Sequence, residues 1–246
     1  MKTRAAILRE VGAAWNVEEI ELDDPQAGEI LVKTLAAGMC HSDEHAHDGT
    51  MPAPMPLIGG HEGAGEVIGL GPGVTEFEIG DHISCSFIPS CGKCTWCARG
   101  QQNLCDLGAK LMDPGMIDGT FRHRDADGND LTPLLKLGTF AEHMVLSVDS
   151  AIKIQKDIPP GPAALVSCGV TTGYGSAVYR AEVTAGDTVI IVGCGGLGTA
   201  AIQGAKIAGA KNVVAVDPSE FKRESAMEFG ATHSAASIDE AMEMVG

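Results

Sequence analysis

Residues 188–217 read TVIIVGCGGLGTAAIQGAKIAGAKNVVAVD. The apolar, β-branched run Thr188–Val192 has the character of a strand, and it leads directly into Gly193-Cys194-Gly195-Gly196-Leu197-Gly198. A helix over 196–208, a strand over 212–216 and a helix over 219–229 follow, an alternation that predicts a parallel sheet. G-x-G-x-x-G alone is weak, but here a strand precedes it, a helix follows it, and an acid closes the next strand, as a dinucleotide-binding turn requires. Gly193 makes the turn, and Gly195 lets a pyrophosphate approach the helix opened by Gly196 and Leu197. Gly198 brings helix against strand. Asp217 ends the second strand, where its carboxylate would accept hydrogen bonds from the adenosine ribose and repel a 2′-phosphate, which favours NAD over NADP. Cys194 reads as a buried structural thiol.

Upstream the grammar differs. Short apolar segments at 5–8, 17–22, 29–36, 65–70, 81–87, 140–146 and 151–154 are punctuated by glycine and proline, as in Gly71-Pro72-Gly73, and predict a β-rich domain. After Pro159-Pro160-Gly161-Pro162 a helix is expected over 163–168, and a third strand of the parallel sheet near 232–236. The boundary falls near residue 169, giving domains 1–169 and 170–246 in an α/β protein. Residues 118–138, charged and without periodicity, read as a surface loop.

Composition narrows the partners. With 33 Asp plus Glu against 17 Lys plus Arg, the net charge of −16 repels a phosphate backbone, so nucleic acid is excluded. Residues 1–10 hold an apolar run too short for a secretion signal, and no uninterrupted apolar span approaches about 18 residues. The reading is a soluble, cytoplasmic chain with no membrane partner.

Eight cysteines without a secretion signal point to metal ligation rather than disulfides. Cys91, Cys94, Cys97 and Cys105 form C-x2-C-x2-C-x7-C, an interval no secondary-structure period explains and one tetrahedral Zn2+ does. Gly92 and Gly100 permit the tight turns, and Lys93 and Arg99 offset the charge. Independent reduced thiols are the alternative; a redox Cys-x-x-Cys pair would leave two cysteines unexplained. Four protein ligands leave no vacancy, so the lobe over 88–110 is structural.

Three further segments stand out: Gly38-Met39-Cys40-His41-Ser42-Asp43-Glu44-His45, Gly60-His61-Glu62-Gly63-Ala64-Gly65 and Val166-Ser167-Cys168-Gly169. Taken with the four-cysteine lobe, they resemble the medium-chain zinc alcohol dehydrogenases in order and separation, from about Ala5 to Gly230. The resemblance implies a GroES-like β-rich catalytic domain followed by a truncated Rossmann-type domain, which here is the N-terminal half only. It implies two Zn2+ per chain, with Cys40, His61 and Cys168 as ligands of the catalytic ion and a fourth position open to small ligands. Asp43 is implied to orient His61, and Glu62 to approach the metal; both could instead be plain surface carboxylates. Ser42 and His45 are implied to relay the alcohol proton, although a turn residue and a solvated histidine would look the same. His41 stands where relatives carry a basic pyrophosphate contact, Thr172 beside the nicotinamide, and Lys222 on the ribose unless it is only a solvated helix lysine.

The implied activity is hydride transfer between NAD and a primary alcohol, or an aldehyde or hemiacetal adduct, by a full-length homo-oligomer. The chain looks closest to the formaldehyde-dehydrogenase-like branch and to nicotinoprotein alcohol dehydrogenases, which keep NADH bound and reduce an artificial acceptor such as nitrosodimethylaniline. The 118–138 segment resembles the latter. A truncated, catalytically incompetent zinc-binding fragment or scaffold is the alternative.

Overall fold

The computed structural model describes residues 1–245, which divide into two compact units, Met1–Cys168 and the chain from Gly169 onward. In the first, strands β1 (Lys2–Leu8), β2 (Asn16–Leu22), β3 (Glu29–Gly38), β4 (Leu57–Ile58), β5 (Glu62–Leu70), β6 (His82–Cys85), β7 (His123–Arg124), β8 (Asp130–Pro133), β9 (His143–Ser147) and β10 (Ala151–Ile154) are joined mainly by turns. Helices α1 (His41–Asp48), α2 (Thr95–Ala98) and α3 (Pro160–Leu165) interrupt them. A closed barrel in the order β1-β2-β7-β8-β4 and a five-stranded sheet in the order β10-β6-β5-β3-β9 result. Alternate residues of β1, Thr3, Ala5 and Ile7, face inward as a two-residue period requires. Ile7, Ile20, Ile58 and Leu131 fill the barrel, and Ile30, Val32, Val67, Ile83 and Leu146 the sheet core. Each such side chain contributes roughly 1.5–3 kcal/mol by leaving water.

One pairing positions the site. Strands β3 and β5 run antiparallel with Gly38 opposite Glu62. The chain leaving β3 therefore meets the chain entering β5, and Cys40 adjoins His61.

The 118–138 segment is not the surface loop its composition suggests. It contributes β7 and β8 to the barrel, and Arg122, His123, Leu131 and Lys136 are buried. The charges are tolerated because they are paired. Arg122 donates through Nε to Glu29 Oε2 at 2.8 Å, and through Nη2 to Glu29 Oε1 at 3.0 Å and Asp118 Oδ2 at 2.8 Å. Lys136 Nζ donates to the carbonyls of Asp113 and Gly115.

His123 is different: it is fully buried, and neither ring nitrogen has a hydrogen-bond partner. Burial, aided by the neighbouring Arg122 charge and opposed by Asp23, pushes its pKa down to about 4. The unfolded chain takes up this proton near the ordinary value of about 6.5 while the folded chain refuses it, so stability present at neutral pH is lost as pH falls. Between pH 7 and pH 5 the loss should be about 2 kcal/mol. Urea unfolding of wild type and His123→Leu at both pH values checks this. Equal pH slopes in the two proteins would count against it.

A widened helical turn at Val166–Val170 follows α3 and spans the division between the units, and the second unit opens with α4 (Thr171–Gly175). The helix expected over 163–168 thus begins earlier, with Pro160 at its first position, where a missing N–H costs nothing. Then follow β11 (Thr188–Val192), α5 (Gly196–Ile207), β12 (Asn212–Val216), α6 (Glu220–Phe229), β13 (His233–Ala235) and α7 (Ile238–Val245). The strands are parallel in the order β11-β12-β13. Ile202, Ala205, Val213 and Ala215 pack between helices and sheet. Among the described residues no helix is long and apolar enough to cross a membrane.

Candidate metal centres and dinucleotide turn

Cys40 caps the N-terminus of α1, and Asp43, three residues on, reaches back so that its Oδ2 accepts from Cys40 N at 3.1 Å. Asp43 Oδ1 accepts from Gly60 N at 3.0 Å and lies 3.4 Å from His61 Nδ1. One buried carboxylate thus ties the two ligand-bearing segments together and turns Nδ1 toward itself, leaving Nε2 for a metal. Thr139 Oγ1 donates to Glu62 O at 2.9 Å, and Gly63 N donates to Ser167 Oγ at 3.1 Å. Ser167 therefore joins the turn carrying Cys168 to the start of β5. The donor atoms of Cys40, His61, Glu62 and Cys168 all lie within 4.8 Å of one another.

The electrostatics of this cluster favour a cation. Burial pulls the charged form of His61 down, but Asp43 and Cys168 outweigh it and raise the pKa to about 10. Burial likewise pushes the Cys40 thiol up, yet the Ser42 N–H and hydroxyl, with His61, hold it below the ordinary thiol value. Phe87 sets its ring edge-on to His61, the centroids 5.9 Å apart. Ser42 is half-buried, with its Oγ 3.8 Å from Cys40 Sγ, while His45 packs edge-on against His41 at 4.7 Å.

Cys91, Cys94, Cys97 and Cys105 also bring their sulfurs within 4.8 Å of one another. Cys94 and Cys105 Sγ are 4.0 Å apart. Zn–S bonds of about 2.3 Å in a tetrahedron ask for about 3.8 Å. Backbone N–H groups aim at the sulfurs: Cys94 N at Cys91 Sγ, 3.4 Å, and Cys97 N at Cys94 Sγ, 3.5 Å. The Cys97 and Asp106 amides hold the Cys94 thiol down at about 6. Both donor sets fit Zn2+, four sulfurs closing one site and two sulfurs with an imidazole and a carboxylate lining the other.

In the second unit Gly193 has φ 90°, a backbone state that glycine adopts without strain, and a Cβ at Gly198 would lie 1.7 Å from Gly193 O. Gly195 caps α5, and added Cβ atoms at Gly195 and Gly196 would meet nothing within 4 Å, so the first turn beside exposed Leu197 is open to a ligand. Asp217 is buried. Its Oδ2 accepts from Cys194 N and its Oδ1 from Ser219 N, both at 2.9 Å, and these amides hold its carboxyl below the usual range. It fastens the turn. Lys222 Nζ lies 3.8 Å from Asp217 Oδ2. Thr172 is exposed on α4, next to Gly173, which approaches so closely that its Cβ would lie 2.2 Å from Leu197 O.

The sequence offered no reason to single out Thr139 or Phe87, whose relation to His61 and Glu62 exists only after folding. Ser167 stood inside a noted segment, its hydroxyl role invisible without the Gly63 amide.

These parts define a class of zinc- and dinucleotide-binding proteins, and comparison with known proteins narrows it. Residues 26–156 match the alcohol dehydrogenase GroES-like domain and residues 196–245 the zinc-binding dehydrogenase family. The chain is 52% identical to an NDMA-dependent alcohol dehydrogenase of Amycolatopsis methanolica over 98% of its own length and 65% of that relative's. It is 37% identical to an S-(hydroxymethyl)glutathione dehydrogenase of Paracoccus denitrificans over 95% of itself and 63% of the relative. Its fold superposes on benzyl alcohol dehydrogenase of Acinetobacter calcoaceticus with a TM-score of 0.90 at 30% identity, covering 100% of this chain and 67% of the other. The chain belongs to the zinc-binding dehydrogenases of the alcohol dehydrogenase family, and it spans just under two thirds of the first of these relatives.

Proposed function

We propose that this chain carries the two zinc sites and the dinucleotide turn of an oxidoreductase that moves hydride between NAD and a primary alcohol, or an aldehyde or hemiacetal adduct. The convergence of Cys40, His61 and Cys168 with Glu62, all donor atoms within 4.8 Å, carries this reading. When bound, Zn2+ supplies the positive charge that favours loss of an alcohol proton, and the nicotinamide accepts the hydride. The protein's own share is positional. Asp43 fixes the His61 ring, and Phe87 keeps one side of it dry. Ser42 is placed to take the substrate proton and His45, three residues on and so on the same helix face, to pass it toward solvent. His41 is assigned to the pyrophosphate, Thr172 to the nicotinamide, and Asp217 with Lys222 to the ribose. The relative's NDMA dependence supports a tightly held NADH. A cytoplasmic, homo-oligomeric enzyme completes the reading, the two cysteine-bearing metal clusters fitting a reducing compartment.

Cys40→Ser should reduce bound zinc from two ions per chain to one and abolish alcohol-dependent NAD reduction. Metal analysis and a cofactor-reduction assay of both proteins check this, and two ions retained in the variant would refute the assignment.

A further inference from the structure

Gly38 ends β3 two residues before Cys40 and lies directly across from Glu62, the residue after His61. Its φ is outside the left-handed region, so the backbone does not demand glycine. The demand comes from Glu62. A Cβ at position 38 would stand 2.0 Å from Glu62 Oε2 and 3.1 Å from both its Cβ and its Cδ, and these three atoms of one side chain are its nearest neighbours. The Glu62 carboxylate thus occupies the volume that any other residue at 38 would fill. From there it lies among the donors of Cys40, His61 and Cys168.

We propose that Gly38 is a positioning residue: its missing side chain is what lets the Glu62 carboxylate fold back beside Cys40, His61 and Cys168 as a fourth donor that an incoming small ligand can displace. This rests on the metal assignment above. The cross-strand register makes the effect specific, because opposed residues project from the same face of an antiparallel pair. An alanine at 38 drives the carboxylate out of its place while leaving the three other donors untouched.

The test is Co2+ loading of the full chain in competition with a chelator, read by visible absorption, with the four-cysteine site as internal reference. Gly38→Ala and Glu62→Ala should each weaken Co2+ at the Cys40 site about tenfold and shift its absorption bands in the same direction, and the double variant should be no weaker than either alone. Additive losses, or a Gly38→Ala protein that binds as wild type does, would overturn the proposal while the metal assignment stands. A wild-type chain that takes up only one Co2+ would remove the assignment and the proposal with it. Thermal unfolding supplies a second readout should Gly38→Ala fold poorly. The Tm penalty of alanine at 38 should shrink in the Glu62→Ala background, where only the 3.1 Å contact with the Cβ at 62 remains, and a penalty as large as in wild type would overturn the proposal.

Discussion

Cys97→Ser should leave one zinc per chain instead of two and open residues 88–110 to protease, while the ion at Cys40 stays bound. The lobe has almost nothing else to hold it. Its helix α2 is four residues long, the other ordered pieces are single turns at Gln102–Leu104 and Asp106–Lys110, and Trp96 and Leu104 are exposed. Its buried side chains include two of the ligands themselves, Cys97 and Cys105. With so little apolar area removed from water, metal binding must carry the folding free energy, on the order of 10 kcal/mol in small zinc domains. The remaining three sulfurs would leave the tetrahedron one donor short, so loss of one ligand releases the ion. Metal analysis with limited proteolysis checks this. Two ions retained, or a cleavage pattern like the wild type's, would show that the lobe stands without its metal.

Arg122→Ala should destabilise the first unit by about 3–5 kcal/mol, the cost of leaving a buried charge without its partner. Glu29 is the charge left behind. It sits at the start of β3 with 9% of its side chain exposed, and its Oε2 also accepts from the Gln26 amide at 2.8 Å. Substituting both residues, as Arg122→Met with Glu29→Leu, should return much of the loss, because a paired desolvation cost disappears along with the pair. Urea unfolding at neutral pH measures all three proteins. A single-variant loss under about 1 kcal/mol would mean that water reaches the pair in solution.

Arg122 also marks where sequence reasoning ends. The β-α-β run from Thr188 was legible because three local signals coincide, and the four-cysteine cluster because no secondary-structure period explains its spacing. The 118–138 segment was misread. Its strands are two and four residues long, too short for a period, and its buried cations look like surface residues until their partners are known. Those partners, Glu29 for Arg122 and the Asp113 and Gly115 carbonyls for Lys136, lie elsewhere in the chain. Helix α1 was missed for a related reason. HSDEHAHD has no apolar stripe, and what starts and stops it is the Asp43 bond to Cys40 N and the left-handed Gly49 at its end. In the candidate site, the resemblance singled out Cys40, His61, Glu62 and Cys168, whose donor atoms the fold brings together, whereas Gly38, Thr139 and Ser167 matter only through neighbours that folding brings.

The two donor sets differ in how far apart along the chain their members stand, and that sets an order of assembly. The lobe's ligands fall between residues 91 and 105, so a ribosome releases all four in close succession. Cys40 and His61 emerge earlier still, but they must wait for Cys168 and for the β3–β5 pairing before three donors can meet. At about 5–20 residues per second the 128 residues from Cys40 to Cys168 take about 6–26 s, during which the Cys40 site lacks its third donor in the nascent chain. A metal-poor cell would therefore fill the lobe first and leave the later site to compete for what remains.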